Sequence, residues 1–247
     1  MKFNNRLNYI ALSTTLLVAL GWVGCSESVD SAAAPSQESA EEVDAGEPNR
    51  QVRIETNYGE MVVELSNQTP EHRDNFLELV ETGFYDSLLF HRVIDGFMIQ
   101  GGDPNSRGAT LATPLGTGGP GYQIPAEIRP DLLHYKGALA AARQGDAVNP
   151  ERKSSGSQFY LVHGKTFTKT ALLNIEARNF PPEGAKYSEE AIERYGTEGG
   201  TPFLDNQYTV FGYVVEGLPV IDSIAAVPTA AGDRPLQDVW MAMEIIE

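Results

Sequence analysis

The sequence predicts a mainly β domain, a closed or nearly closed β-barrel capped by two helices and interrupted by a partly helical insertion. Three observations carry that expectation. Short runs rich in alternating apolar residues recur at 51–66, 88–93, 97–100, 139–143, 158–162, 209–215 and 239–246. Gly- and Pro-rich turns separate them. Two amphipathic helical stretches punctuate the array, near 70–83 and 218–226, too few for a helix-covered parallel sheet.

Residues 1–24 have the pattern of an address. Lys2 and Arg6 open the chain, and 9–23 form a mostly apolar run of 15 residues. That falls short of the roughly 20 residues that span a bilayer as a helix. A basic start, a short apolar stretch and a small residue before a break make a secretory signal. Cys25 directly after Gly24 resembles the bacterial lipobox, with Trp22 where that motif usually has Leu. The resemblance implies cleavage before Cys25 and acylation of its thiol and new amino group; a plain secretory signal is the alternative. Acyl chains, at about 0.8 kcal/mol per buried CH₂, would anchor the protein to a bacterial membrane on the periplasmic side or cell surface. Residues 25–50 hold seven acids and a single base, Arg50, with Ser, Ala and Pro but no aromatic. Such a segment buries too little to offset its ordering entropy, and it reads as a disordered acidic tether.

The folded domain, 51–247, starts with a hairpin around Asn57-Tyr58-Gly59. Thr69-Pro70-Glu71 then supplies an N-cap, a Pro at the first helical position and an acid in the first turn. Phe76, Leu77, Val80 and Phe84 follow at helical spacing, and Gly83 can stop the helix. Residues 165–200 break the strand rhythm. There 170–178 has mixed helical character, and Ser188-Glu189-Glu190 opens a short helix running to Gly196. An insertion this long is either functional or a solvated surface elaboration.

Composition narrows the function. The 247 residues carry 18 Lys+Arg against 34 Asp+Glu, a formal charge of −16. That balance excludes a basic nucleic-acid binder and a module that relies on anionic lipid. A content of 41% hydrophobic residues is enough for a core. With Cys25 the single cysteine, internal disulfides and cysteine-based metal or iron–sulfur sites are excluded. A monomer without metal or cofactor is expected.

Chemistry concentrates in 90–104, F-H-R-V-I-D-G-F-M-I-Q-G-G-D-P. Asp95-Gly96 is a hairpin turn signal, so the second strand returns Phe97, Met98 and Gln100 beside the first. Cross-strand neighbours lie about 5 Å apart, which lets Arg92 and Gln100 share a face with Phe97. A guanidinium over apolar surface, with an amide to orient it, is the result. Gly101-Gly102 permits a bulge or the close approach of another chain.

This segment resembles the signature of cyclophilins, the cyclosporin-binding class of peptidyl-prolyl cis–trans isomerases. G-T-G-G at 116–119, G-A-L-A-A-A-R at 137–143, G-S-Q-F-Y at 156–160 and F-L-D-N-Q-Y-T-V-F-G at 203–212 follow in the family's order. The resemblance covers about 50–247 apart from the insertion. It implies a closed eight-stranded antiparallel barrel and an enzyme acting on proline-containing polypeptides. Arg92 matches the catalytic arginine and Gln100 its orienting glutamine. Phe97, Met98, Phe159 and Leu204 match the walls of the proline pocket. Ala142 and Arg143 match the strand that meets the substrate backbone, and Gln158 matches an adjacent polar contact. Phe203 and Tyr208 stand where eukaryotic members commonly have Trp and His, as in bacterial members. His91 matches a structural position. The alternative function is a non-catalytic proline-peptide binding module or holdase chaperone on the same fold. A hydrolase built on His91 with Asp95 or Asp103 has no accompanying nucleophile motif.

Overall fold

The computed structural model describes residues 48–246; the expected signal, Cys25 and most of the tether lie outside the described residues. The expected hairpin is β1 (Gln51–Thr56) and β2 (Gly59–Leu65), turned at Gly59 with φ 127°. Next comes α1 (Pro70–Glu81). Thr69 was expected to cap it, but its backbone (φ −131°, ψ 65°) leaves the extended cap geometry and its hydroxyl bonds nothing. Glu127 caps from a distance instead, accepting from Glu71 N at 3.1 Å and His72 N at 2.9 Å.

The remaining strands are β3 (Leu88–Leu89), β4 (Arg92–Ile94), β5 (Met98–Gly101), β6 (Gln123–Ile124), β7 (Ala138–Ala141), β8 (Ser154–Ser155), β9 (Phe159–Val162), β10 (Val210–Glu216) and β11 (Trp240–Ile246). The main sheet is antiparallel throughout and runs β3-β11-β1-β2-β10-β7-β9-β5-β4, with β6-β8 a separate pair. Among the described residues the ladder runs through nine strands, and because the two at its ends are halves of one segment, the antiparallel sheet curls round on itself. The single strand expected at 88–93 is broken at Phe90-His91 into β3 and β4, which occupy opposite ends of the ladder. The break follows from pairing: Phe90 N donates to Val239 O, while Val93 N donates to Asp233 O, outside any strand.

Side chains alternate across this sheet with period two. Ile99, Leu139, Ala141, Phe159 and Leu161 face the main core, to which α1 adds Phe76 and Val80 and α4 (Leu218–Ala225) adds Ile221 and Ile224. Met98, Ala138, Ala140, Tyr160 and Val162 face the other way and form a second cluster with Val210. Both faces of β7 and β9 are therefore buried. Gly102, at φ 86°, passes so close to Ser157 that an added Cβ would collide with its carbonyl.

The insertion forms α2 (Lys169–Asn179) and α3 (Glu189–Thr197), capped by the hydroxyls of Thr168 and Ser188. They share a third apolar cluster, Leu172, Phe180, Tyr187, Ala191 and Tyr195 with Leu133. Among the described residues no helix is long and apolar enough to cross a membrane.

Candidate active site

The β4–β5 hairpin puts Arg92 directly opposite Gln100. Arg92 Nη1 donates to Gln100 Oε1 at 3.4 Å, and its Nε donates to Asp233 Oδ2 at 3.4 Å. The side chain is 39% exposed, and a pair at such a site is worth about 0–1 kcal/mol. These long contacts orient the fork without consuming it, and Nη2 has no partner among the described residues. Gln100 is oriented in turn. Its Nε2 donates to Gln158 Oε1 at 3.0 Å, and Gln158 Nε2 donates to Gly118 O at 2.7 Å. The glycine loop carrying that carbonyl is pinned by the fully buried Asp103, which accepts from Gly116 N at 2.5 Å and Gly118 N at 3.2 Å.

Beside the guanidinium opens a hollow of about 110 Å³. Phe97, Met98, Tyr160, Leu204 and Tyr208 form its apolar walls, and Arg92, Gln100, Ala142 and Arg143 complete its lining. Eight expected residues thus converge: Arg92, Phe97, Met98, Gln100, Ala142, Arg143, Leu204 and Tyr208. Phe203 stands outside the hollow, 43% exposed, with its ring 5.7 Å from that of Phe97. Gln158 sits behind Gln100 and borders an adjoining groove of about 590 Å³ with Gly118, Tyr122 and Arg143.

Phe159 is the correction. It is 1% exposed and packs edge-on against Phe76, Tyr85 and Phe90 in the main core. The wall is its neighbour Tyr160. The signal lay in the alternation: Gln158 and Tyr160 share one face of the strand, and 159 must take the other. Burial, with the nearby Tyr208 and Asp205 adding, holds the Tyr160 hydroxyl well above its ordinary pKa. It is therefore a donor, and its partner His134 Nε2 lies at 3.0 Å.

Arg143 acts through more than one group. Its side chain is 4% exposed, bonds Asp146 Oδ1 at 2.6 Å and Gln207 O at 3.1 Å, and lies 4.4 Å over the Tyr208 ring. That stack holds a wall in place. Ala142 N and O are taken by Gln158 O and Ser155 N, at 2.9 and 2.8 Å. The Arg143 backbone has no such partner among the described residues, leaving a peptide edge open to the groove.

His91 is 4% exposed, and neither ring nitrogen has a partner in hydrogen-bond geometry. Burial lowers its pKa to about 4, with Asp103 opposing the shift. Asp95 has an 83% exposed side chain and approaches His163 instead. No hydrolytic pair forms at His91.

Residues 51–244 match the family model described as cyclophilin type peptidyl-prolyl cis-trans isomerase/CLD. Relatives named "Putative peptidyl-prolyl cis-trans isomerase" from Staphylococcus aureus (strain USA300) and Staphylococcus epidermidis are 34% identical over 192 residues, 76% of this chain and 87% of theirs. The crystal structure of a Cryptosporidium parvum cyclophilin type peptidyl-prolyl cis-trans isomerase is similar at TM-score 0.58 and 26% identity, over 81% of this chain and 98% of that one. A structure of the same protein in the presence of the dipeptide Ala-Pro gives 0.57, at 26% identity over 80% and 99%. A match that begins with β1 and ends within β11 leaves no strand of the sheet outside it, and so this chain belongs to the cyclophilin-type peptidyl-prolyl cis-trans isomerase family.

Proposed function

We propose that the chain accelerates rotation about X–Pro bonds in unfolded or exported polypeptides by favouring the twisted amide, without covalent chemistry. The observation that carries this reading is Arg92, fixed by Gln100 and Asp233 with donors to spare, at the lip of an aromatic hollow. The barrier to rotation is ~18–20 kcal/mol because resonance gives the C–N bond double-bond character. Twisting removes that resonance and leaves the prolyl nitrogen a pyramidal acceptor. A fixed guanidinium bonds this state, or the carbonyl beside it, more strongly than the planar one. Such a charged hydrogen bond is worth roughly 1.5–3 kcal/mol, or about one to two decades in rate. The rest comes from gripping the ring between Phe97, Met98, Tyr160 and Leu204 while the open backbone of Arg143 holds the chain. Arg suits the task because its charge is permanent and its planar fork can be aimed.

The test is an isomerisation assay on an X–Pro peptide, wild type against Arg92→Ala. The expected result is a drop in kcat/KM of about 10- to 100-fold with unchanged circular dichroism. A wild-type rate in the variant would overturn the mechanism and favour the holdase reading, which needs no aimed guanidinium.

The proposal includes an anchor. Lys2, Arg6, the apolar run 9–23 and Gly24-Cys25 support lipidation at Cys25. The enzyme would then work on the periplasmic side of a bacterial membrane or at the cell surface, held off by the acidic stretch 26–50.

A further inference from the structure

Behind the hollow lies a fully buried acid, Asp205, whose two oxygens meet four donors. His134 N and Nδ1 reach Oδ1 at 2.7 and 2.9 Å. Tyr187 and Tyr195 hydroxyls donate to Oδ2 at 2.7 and 2.6 Å. Both tyrosines belong to the insertion, and burial, reinforced by Asp205, keeps their hydroxyls protonated far above neutrality. A buried acid survives only when its lone pairs are matched. Here one of its two oxygens depends on the insertion.

Asp205 sits in the turn that presents the pocket. Leu204 beside it is a wall of the hollow and Phe203 stacks near Phe97. Asn179, the last residue of α2, donates from Nδ2 to Phe203 O at 3.0 Å and Asp205 O at 3.1 Å. Its own carbonyl accepts from Asn206 Nδ2 at 2.8 Å, and Asn206 is held left-handed at φ 59°. His134 extends the network. With Nδ1 donating to Asp205, Nε2 is left to accept from Tyr160, the wall on the opposite strand.

Resting on the isomerase reading, we propose that Tyr187, Tyr195 and Asn179 are positioning residues: the insertion braces the turn 202–206, and through His134 the Tyr160 wall, so that the hollow is pre-shaped for a proline ring. The Arg92 and Gln100 side chains bond Asp233, each other and Gln158 rather than any member of this brace, so it should govern substrate capture more than the rotation step.

The experiment uses the full chain with Tyr187→Phe plus Tyr195→Phe, and separately Asn179→Ala. Peptide kinetics are measured beside amide hydrogen exchange at Leu204, Asp205 and Gln207. In the double variant KM should rise roughly three- to tenfold with kcat within about twofold. Exchange in the turn should quicken about tenfold while β5 amides hold. Asn179→Ala, which keeps all four donors to Asp205, should move both readouts the same way by less, and it serves if the double variant does not fold. Wild-type KM and exchange in the folded variants would overturn the proposal, as would loss of kcat at constant KM. If the wild type fails to isomerise proline peptides while the variants still loosen the turn, the function falls and the brace stands.

Discussion

His91 and Arg92 are neighbours in the chain with opposite fates, one buried and the other two-fifths open to solvent. Burial has a pH consequence. His91 has a folded pKa of about 4 against an ordinary 6.5, so the unfolded chain takes up its proton first. The stability this neutral ring contributes is complete above pH 6.5 and is lost as pH falls towards 4, about 3 kcal/mol in all. Urea unfolding of wild type and His91→Gln at pH 7 and pH 4.5 checks this: the wild type should lose about 2–3 kcal/mol more than the variant. Equal losses would mean the ring is already protonated or not sealed. Arg92 and Gln100 were legible because a turn signal fixes their register and both lie within nine residues. Asp233, which takes the guanidinium's Nε, and Asp205, which anchors the pocket from behind, were not. Their partners are remote in sequence, and a lone acid on a loop carries no local mark.

Elements came through where period and length agreed. The β1–β2 hairpin, α1, α4 and both insertion helices stand close to their expected bounds because turn residues, prolines or apolar spacing mark them, even though Thr69 makes no cap bond. β6 and β8 are two residues each, too short to leave an alternation. The expected strand at 88–93 was continuous in sequence, yet its two halves find different partners, a choice made by the whole sheet. β9 shows what one residue of slip does: Phe159 belongs to the core and Tyr160 to the hollow. Phe159→Ala should therefore cost about 3–5 kcal/mol in chemical denaturation and leave KM for a proline peptide unchanged at temperatures where the variant is folded. A raised KM without lost stability would return Phe159 to the pocket wall.

At the scale of the molecule, composition set an expected address and an acidic stretch apart from the region that the family match covers. The chain's charge of −16 argues against a nucleic-acid partner. The anchoring proposal belongs here. Cys25→Ser should abolish incorporation of labelled palmitate in a bacterial host and move the protein from the membrane fraction to a soluble one, with peptide isomerisation unaltered; labelling that persists would rule out acylation at that thiol.

The division of one segment between β3 and β4 has a bearing on when the enzyme exists at all. Leu88-Leu89 is fastened by β11 and Arg92, three residues on, by β5, so one segment joins the two ends of the ladder. A chain emerging from the ribosome can assemble the β4–β5 hairpin early, but the clasp behind it stays undone until residues 240–246 have been made and laid in. A helper of protein folding wired in this way must finish its own assembly before it can attend to another's.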